Sequence, residues 1–118
     1  MNKNMIINGI NNESVTIYEE LVDYGFEDIV FIDSDINKVK QFNNNVLSSI
    51  AFFGDSSSSE FLEFVGINRI NSETIFVAMT ESDSVNLISC EIAKLKYDVN
   101  NVVSVVNSKE NLSLFNAY

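Results

Sequence analysis

Histidine is absent from the 118 residues, so no imidazole general base, catalytic triad or histidine metal site can form. Cysteine occurs once, at Cys90, which excludes an intrachain disulfide and a cysteine-cluster zinc or iron–sulfur centre. A single thiol without a cystine framework fits a reducing compartment. Cations are scarce: seven Lys and Arg stand against 17 Asp and Glu, for a net charge of −10. That balance has the wrong sign for a phosphate backbone and for an anionic membrane surface. No apolar run approaches the roughly 20 residues of a membrane span, and the short one near the N-terminus is not a signal peptide. Neither nucleic-acid binding nor direct membrane insertion is therefore expected.

What remains is an ordinary globular composition, 46% hydrophobic and 20% charged. A chain of this length makes one domain and buries roughly two-thirds of its unfolded surface. Short β-like runs alternate with helical patterns. Strands are expected over residues 5–8, 28–33, 47–53, 74–79 and 101–106. Between them, helices are expected over 13–24, 34–45, 60–65 and 82–97, with a last short one over 109–117. Ser14 or Asn12 is the candidate cap of the first helix. In the longest helix Val85, Ile88, Ile92 and Leu95 fall on one face, and Cys90 reads as a buried, inert thiol. Asparagines cluster at element ends, where this residue tolerates left-handed backbone. Strict β-α alternation with crossovers of this length implies an α/β sandwich around a parallel sheet.

In an open parallel sheet, ligands sit beyond the carboxyl ends of the strands. Those ends carry Gly9, Asp33, Gly54-Asp55, Thr80-Glu81 and Val106-Asn107. The first turn, Gly9-Ile10-Asn11-Asn12-Glu13-Ser14, keeps one glycine of the G-x-G-x-x-G pattern. Asn11 stands at the second glycine, where a positive φ would preserve the turn, and Ser14 at the third. Asp33 lies 24 residues after Gly9, where a carboxylate accepts hydrogen bonds from ribose hydroxyls and repels a 2′-phosphate.

Several signatures occur in order. They are the glycine turn, Phe31-Ile32-Asp33-Ser34-Asp35, Gly54-Asp55-Ser56, Thr80-Glu81-Ser82-Asp83-Ser84-Val85-Asn86-Leu87 after a strand, and Val102-Val103-Ser104-Val105-Val106-Asn107. Together they resemble the TrkA-N or RCK (regulator of potassium conductance) domains of bacterial potassium-transport regulators. The resemblance implies a Rossmann-like three-layer sandwich, its five parallel strands in the order 3-2-1-4-5. It also implies a cofactor, NAD(H) or an adenine nucleotide (ATP, ADP or AMP), held at Gly9, Asn11, Asn12, Ser14, Asp33, Ser34, Gly54, Asp55, Thr80 and Glu81. The implied role is regulatory, coupling ligand state to a membrane potassium transporter or channel subunit. Such domains form homodimers or rings and are cytoplasmic, peripheral to the plasma membrane through their transporter.

Family domains continue with a further strand and helix used in dimer contacts, so residues 1–118 are expected to be one such domain cut short after strand five and a short helix. The family also often carries Arg where this chain has Asn12 and Val105. None of Lys3, Lys38, Lys40, Arg69, Lys94, Lys96 and Lys109 falls in the phosphate turn. The pattern is intact on its ribose side and eroded on its phosphate side. The alternative function is an assembly module that has lost tight nucleotide binding. With no histidine, no catalytic Lys or Tyr motif and no substrate domain, an enzyme is not expected.

Overall fold

The computed structural model describes residues 3–46, 50–69 and 74–116. Five strands form one sheet: β1 (Lys3–Asn8), β2 (Phe26–Asp33), β3 (Ala51–Phe53), β4 (Thr74–Ala78) and β5 (Asn101–Ser104). Their order is β3-β2-β1-β4-β5 and every neighbouring pair is parallel. The helices are α1 (Ser14–Asp23), α2 (Ile36–Asn45), α3 (Ser59–Phe64), α4 (Asp83–Glu91) and α5 (Leu112–Asn116). The architecture is the Rossmann-like three-layer sandwich.

The period of two along the strands divides the core into two layers. Met5, Ile7, Ile29 and Phe31 point to one face and pack with Val39 and Phe42 of α2 and with α1 residues such as Val15 and Leu21. Ile6, Ile32, Phe76 and Ala78 point to the other, against Leu62, Cys90 and Ala93 from α3 and the α4 region. Phe31 and Phe76, both fully buried, anchor one layer each. A central strand covered on both faces cannot alternate apolar with polar residues, and Met5-Ile6-Ile7 is accordingly apolar throughout.

Element boundaries differ from the sequence reading at informative places. β2 begins at Phe26 rather than at residue 28, and β3 is confined to Ala51–Phe53; residues 47–49 lie outside the described set. At that edge Asn43 acts as a piece of strand. Its side-chain amide donates to the Ala51 carbonyl (3.0 Å) and accepts from the Ala51 amide (3.1 Å). Asn43 and Asn44 are therefore helical rather than left-handed; the one non-glycine residue with positive φ among those described is Asp98. The long fourth helix is α-helical to Glu91, then π-helical over Ile92–Lys96. Residues 109–111 form a 3-10 turn before α5.

The fourth helix is also rotated from the face that its apolar residues mark. Val85, Ile88 and Leu95 are exposed and Ile92 is half-buried against the core, while Asn86, Ser89, Cys90 and Ala93 are buried. These four keep helical spacing but sit one residue out of phase. Small side chains bring the helix close to the sheet, and the amide of Asn86 fixes its rotation.

Candidate functional site

The parallel strands end on one rim, and backbone bonds continue the sheet slightly past each of them. Gly9 N–H donates to Ile32 O (2.8 Å), Met79 N–H to Asn8 O (2.8 Å), Gly54 N–H to Asp33 O (3.0 Å) and Val105 N–H to Ala78 O (2.8 Å). Beyond that rim opens a cleft of about 550 Å³. Gly9, Asn11, Asn12, Ser14, Asp33, Ser34, Asp55, Thr80 and Glu81 all line it. Nine of the ten candidate residues thus converge. The tenth, Gly54, does not line the cleft. It is glycine because the ring of Phe61 occupies the space a Cβ would need.

Gly9 is required by both its backbone and its surroundings. Its φ is 119°, and a Cβ there would come within 2.8 Å of the Met79 carbonyl carbon. The second position behaves otherwise. Asn11 does not take a positive φ, so the turn closes by hydrogen bonds instead of by a left-handed residue. Its amide donates to Ser14 Oγ (2.8 Å), its Oδ1 accepts from Glu13 N–H (2.9 Å), and its carbonyl accepts from Ser14 N–H (3.1 Å). Neither Ser14 nor Asn12 caps α1 from the N-cap position. Glu13 holds that position and makes no side-chain cap, while Ser14 is the first helical residue, fully buried.

Asp33, the last residue of β2, is buried at the floor of the rim. One oxygen accepts Ile10 N–H (2.8 Å) and the other accepts Asp35 N–H (2.8 Å). The carboxylate braces the turn after β1 against the turn after β2. A carboxylate has about four acceptor positions, so two remain for hydroxyl groups of a ligand. Asp55 is engaged locally: its Oδ1 accepts from the amide (2.8 Å) and hydroxyl (2.7 Å) of Ser57. Those bonds, the amide's first, hold its carboxyl below the usual range.

On the far wall Asn86 is completely buried. Its Oδ1 accepts from Thr80 N–H (3.0 Å) and Thr80 Oγ1 (2.7 Å), and its Nδ2 donates to the carbonyls of Thr80 (3.1 Å) and Val105 (3.2 Å). Thr80 is thus a structural member of the wall, its polar groups turned to Asn86. Glu81, exposed, follows it.

The sequence reading missed the wall built by α2. Lys38, Gln41, Phe42 and Asn45 line the cleft at helical spacing. The signal was present as one helical face running down from the Asp33 turn, but attention to strand ends alone passes over it. Lys38 is the one cation lining the cleft among the described residues; Asp33, Asp35, Asp55 and Glu81 line it as well.

A family model for the TrkA-N domain matches residues 5–118. Among solved structures, the chain is similar to the NAD(P)-binding domain of an exopolyphosphatase-related protein from Archaeoglobus fulgidus. The two share 16% identity with a TM-score of 0.71, covering 99% of this chain and 82% of that one. No curated protein matches the chain. At this identity the structural likeness bears on the fold alone.

Proposed function

The chain belongs to the TrkA-N domain family, and on that footing we propose that it is a regulatory domain whose rim cleft binds an adenosine-bearing ligand. NAD(H), ATP, ADP and AMP make up the ligand class that the family pattern suggests. The partner is a membrane potassium transporter or channel subunit, to which a difference between liganded and free states is passed. The domain works in the cytoplasm, at the inner face of the membrane through that partner. Among the described residues no helix is long and apolar enough to cross a membrane.

Asp33 carries the reading. A buried carboxylate at the end of β2, with two acceptor positions left and a cleft in front of it, suits the paired hydroxyls of a ribose. On this reading the domain binds its ligand without transforming it. Its chain has no histidine, and burial pushes the Cys90 thiol up to about 11, leaving it protonated and unreactive at neutral pH.

Thermal melting with NAD, NADH, ATP, ADP, AMP and adenosine, each at millimolar concentration, tests the reading. A ligand at ~100 times its dissociation constant adds about 2.7 kcal/mol to stability, which raises the Tm by about 10 °C for a domain of this size. The rise should vanish in Asp33→Asn. That variant keeps one acceptor oxygen and so better preserves the turn than Asp33→Ala.

The second reading, an assembly module without tight nucleotide binding, is favoured by one observation: Val85, Ile88 and Leu95 expose apolar surface along the α4 region. In that case copies associate through this face as dimers or rings. No Tm rise with any of the six compounds, together with a dimer in sedimentation that Ile88→Asp dissociates, would select it.

A further inference from the structure

The identity of the ligand's 5′ group follows from where the amides of the glycine turn point and from the charge around them. This step rests on the adenosine reading above and narrows it. A turn that seats a pyrophosphate offers its amide hydrogens outward. In the six residues 9–14, five amides are instead bonded within the protein. Gly9 N–H is held by Ile32 O, Ile10 N–H by the Asp33 carboxylate and Asn11 N–H by Ser14 Oγ. Asn11 then takes the last two with its own oxygens, Glu13 N–H on the side chain and Ser14 N–H on the carbonyl. Only the Asn12 amide is left over. A neutral side-chain oxygen, that of Asn11, thus holds the Glu13 N–H at the start of α1.

The field in the cleft points the same way. Asp33, Asp35, Asp55 and Glu81 outnumber Lys38 by four to one. Lys38 stands on α2, outside the glycine turn in the chain. A cleft lined by one sign of charge concentrates ligands of the other sign and excludes its own.

We propose that the cleft takes a phosphate-free nucleoside, an adenosine whose 5′ substituent is neutral or cationic, because Asn11 closes the phosphate seat and the lining carboxylates repel anions. Its ribose hydroxyls meet Asp33, as in the broader reading. Its 5′ side faces Asn11, Asn12 and Glu81, where a hydrogen-bond donor or a positive charge is accommodated and a phosphate is not.

The test is calorimetric titration of the chain with adenosine, 5′-methylthioadenosine, S-adenosylmethionine, AMP, ATP and NAD, at low salt and without divalent cations. The sulfonium compound serves as the cationic probe. The expected order places it and the two neutral nucleosides first, AMP weaker by about tenfold and ATP weaker again. The gap should close as salt rises, because screening shortens the reach of the carboxylates. Asn12→Arg combined with Glu81→Gln should raise AMP affinity relative to adenosine by about tenfold. ATP or NAD binding as tightly as adenosine would overturn this inference and leave the adenosine reading standing. A ratio unmoved by the double variant would overturn it as well. Silence from all six compounds would remove both.

Discussion

Asn86 shows how one side chain can carry both a fold and a site. Fully buried, it spends its amide on Thr80 and Val105, so it fixes the turn after β4, the end of β5 and the rotation of α4 together. Replacing it with Ala would empty a fully buried position and leave the Thr80 amide and the Val105 carbonyl without their partner in a part-buried setting. A buried group left unsatisfied costs about 1–3 kcal/mol and a part-buried one less, so Asn86→Ala is expected to lose about 1–3 kcal/mol in urea unfolding. A loss under 1 kcal/mol would mean that water enters the wall readily and that the helix rotation is set elsewhere. Asp33 is the second such residue. Its position was legible in the sequence as an acid at the end of the clearest strand, and the structure adds that two amides hold it in place. Asn11 was legible only in part. Its identity was a known departure from glycine, but its effect depends on three hydrogen bonds among residues 11, 13 and 14 that no residue count reveals.

At the level of elements, periodicity found the strands and helices but misjudged one phase. The stripe Val85, Ile88, Ile92 and Leu95 is regular, yet of these only Ile92 packs against the core, and the buried stripe is Asn86, Ser89, Cys90 and Ala93. Pattern reasoning ranks side chains by hydrophobicity, whereas the contact with the sheet here selects small residues and a hydrogen-bonded amide. The π-helical turn over Ile92–Lys96 was invisible for a related reason, since an i→i+5 bond leaves no compositional mark. That segment ends in an identifiable strain. Asp98 has φ 55° just before Val99 N–H returns to the Ala93 carbonyl (3.0 Å). This is a helix C-terminus of the kind usually closed by glycine. Left-handed backbone costs an L-residue roughly 1–2 kcal/mol, partly relieved for Asp. Asp98→Gly should therefore gain up to about 1 kcal/mol, read as a higher Tm, and Asp98→Val should lose a similar amount. Equal Tm values for wild type and both variants would show that the turn relaxes in solution.

Across the whole molecule the dominant quantity is the net charge of −10. Self-repulsion of this size weakens the compact state near neutrality and is relieved as carboxylates take up protons. Against that gain stands Asp83, which ties β5's exit to α4. Its carboxylate accepts hydrogen bonds from Asn107 N–H (2.7 Å), Asn107 Nδ2 (3.1 Å), Ser108 N–H (3.0 Å) and Asn111 Nδ2 (2.9 Å). The Asn107 amide foremost, then the Asn111 side chain, hold its pKa below the ordinary 3.8. A folded-state pKa below the unfolded one supplies stability above the unfolded value and loses it as pH falls through the folded value. Asp55, lowered from the same 3.8 by Ser57, adds to this in the same direction. The Tm should therefore rise modestly from pH 7 toward pH ~5 as repulsion eases, then fall once the pH drops below about 3.8. Asp83→Asn should melt below wild type at pH 7, with the difference beginning to shrink below 3.8 and closing only once the pH falls past the lowered folded-state value, where the wild-type carboxyl is itself protonated. Melting curves of the two proteins from pH 7 to pH 2.5 decide it. Parallel acid limbs would place the loss of stability in general titration of the surface and deny the Asp83 clasp a part in it.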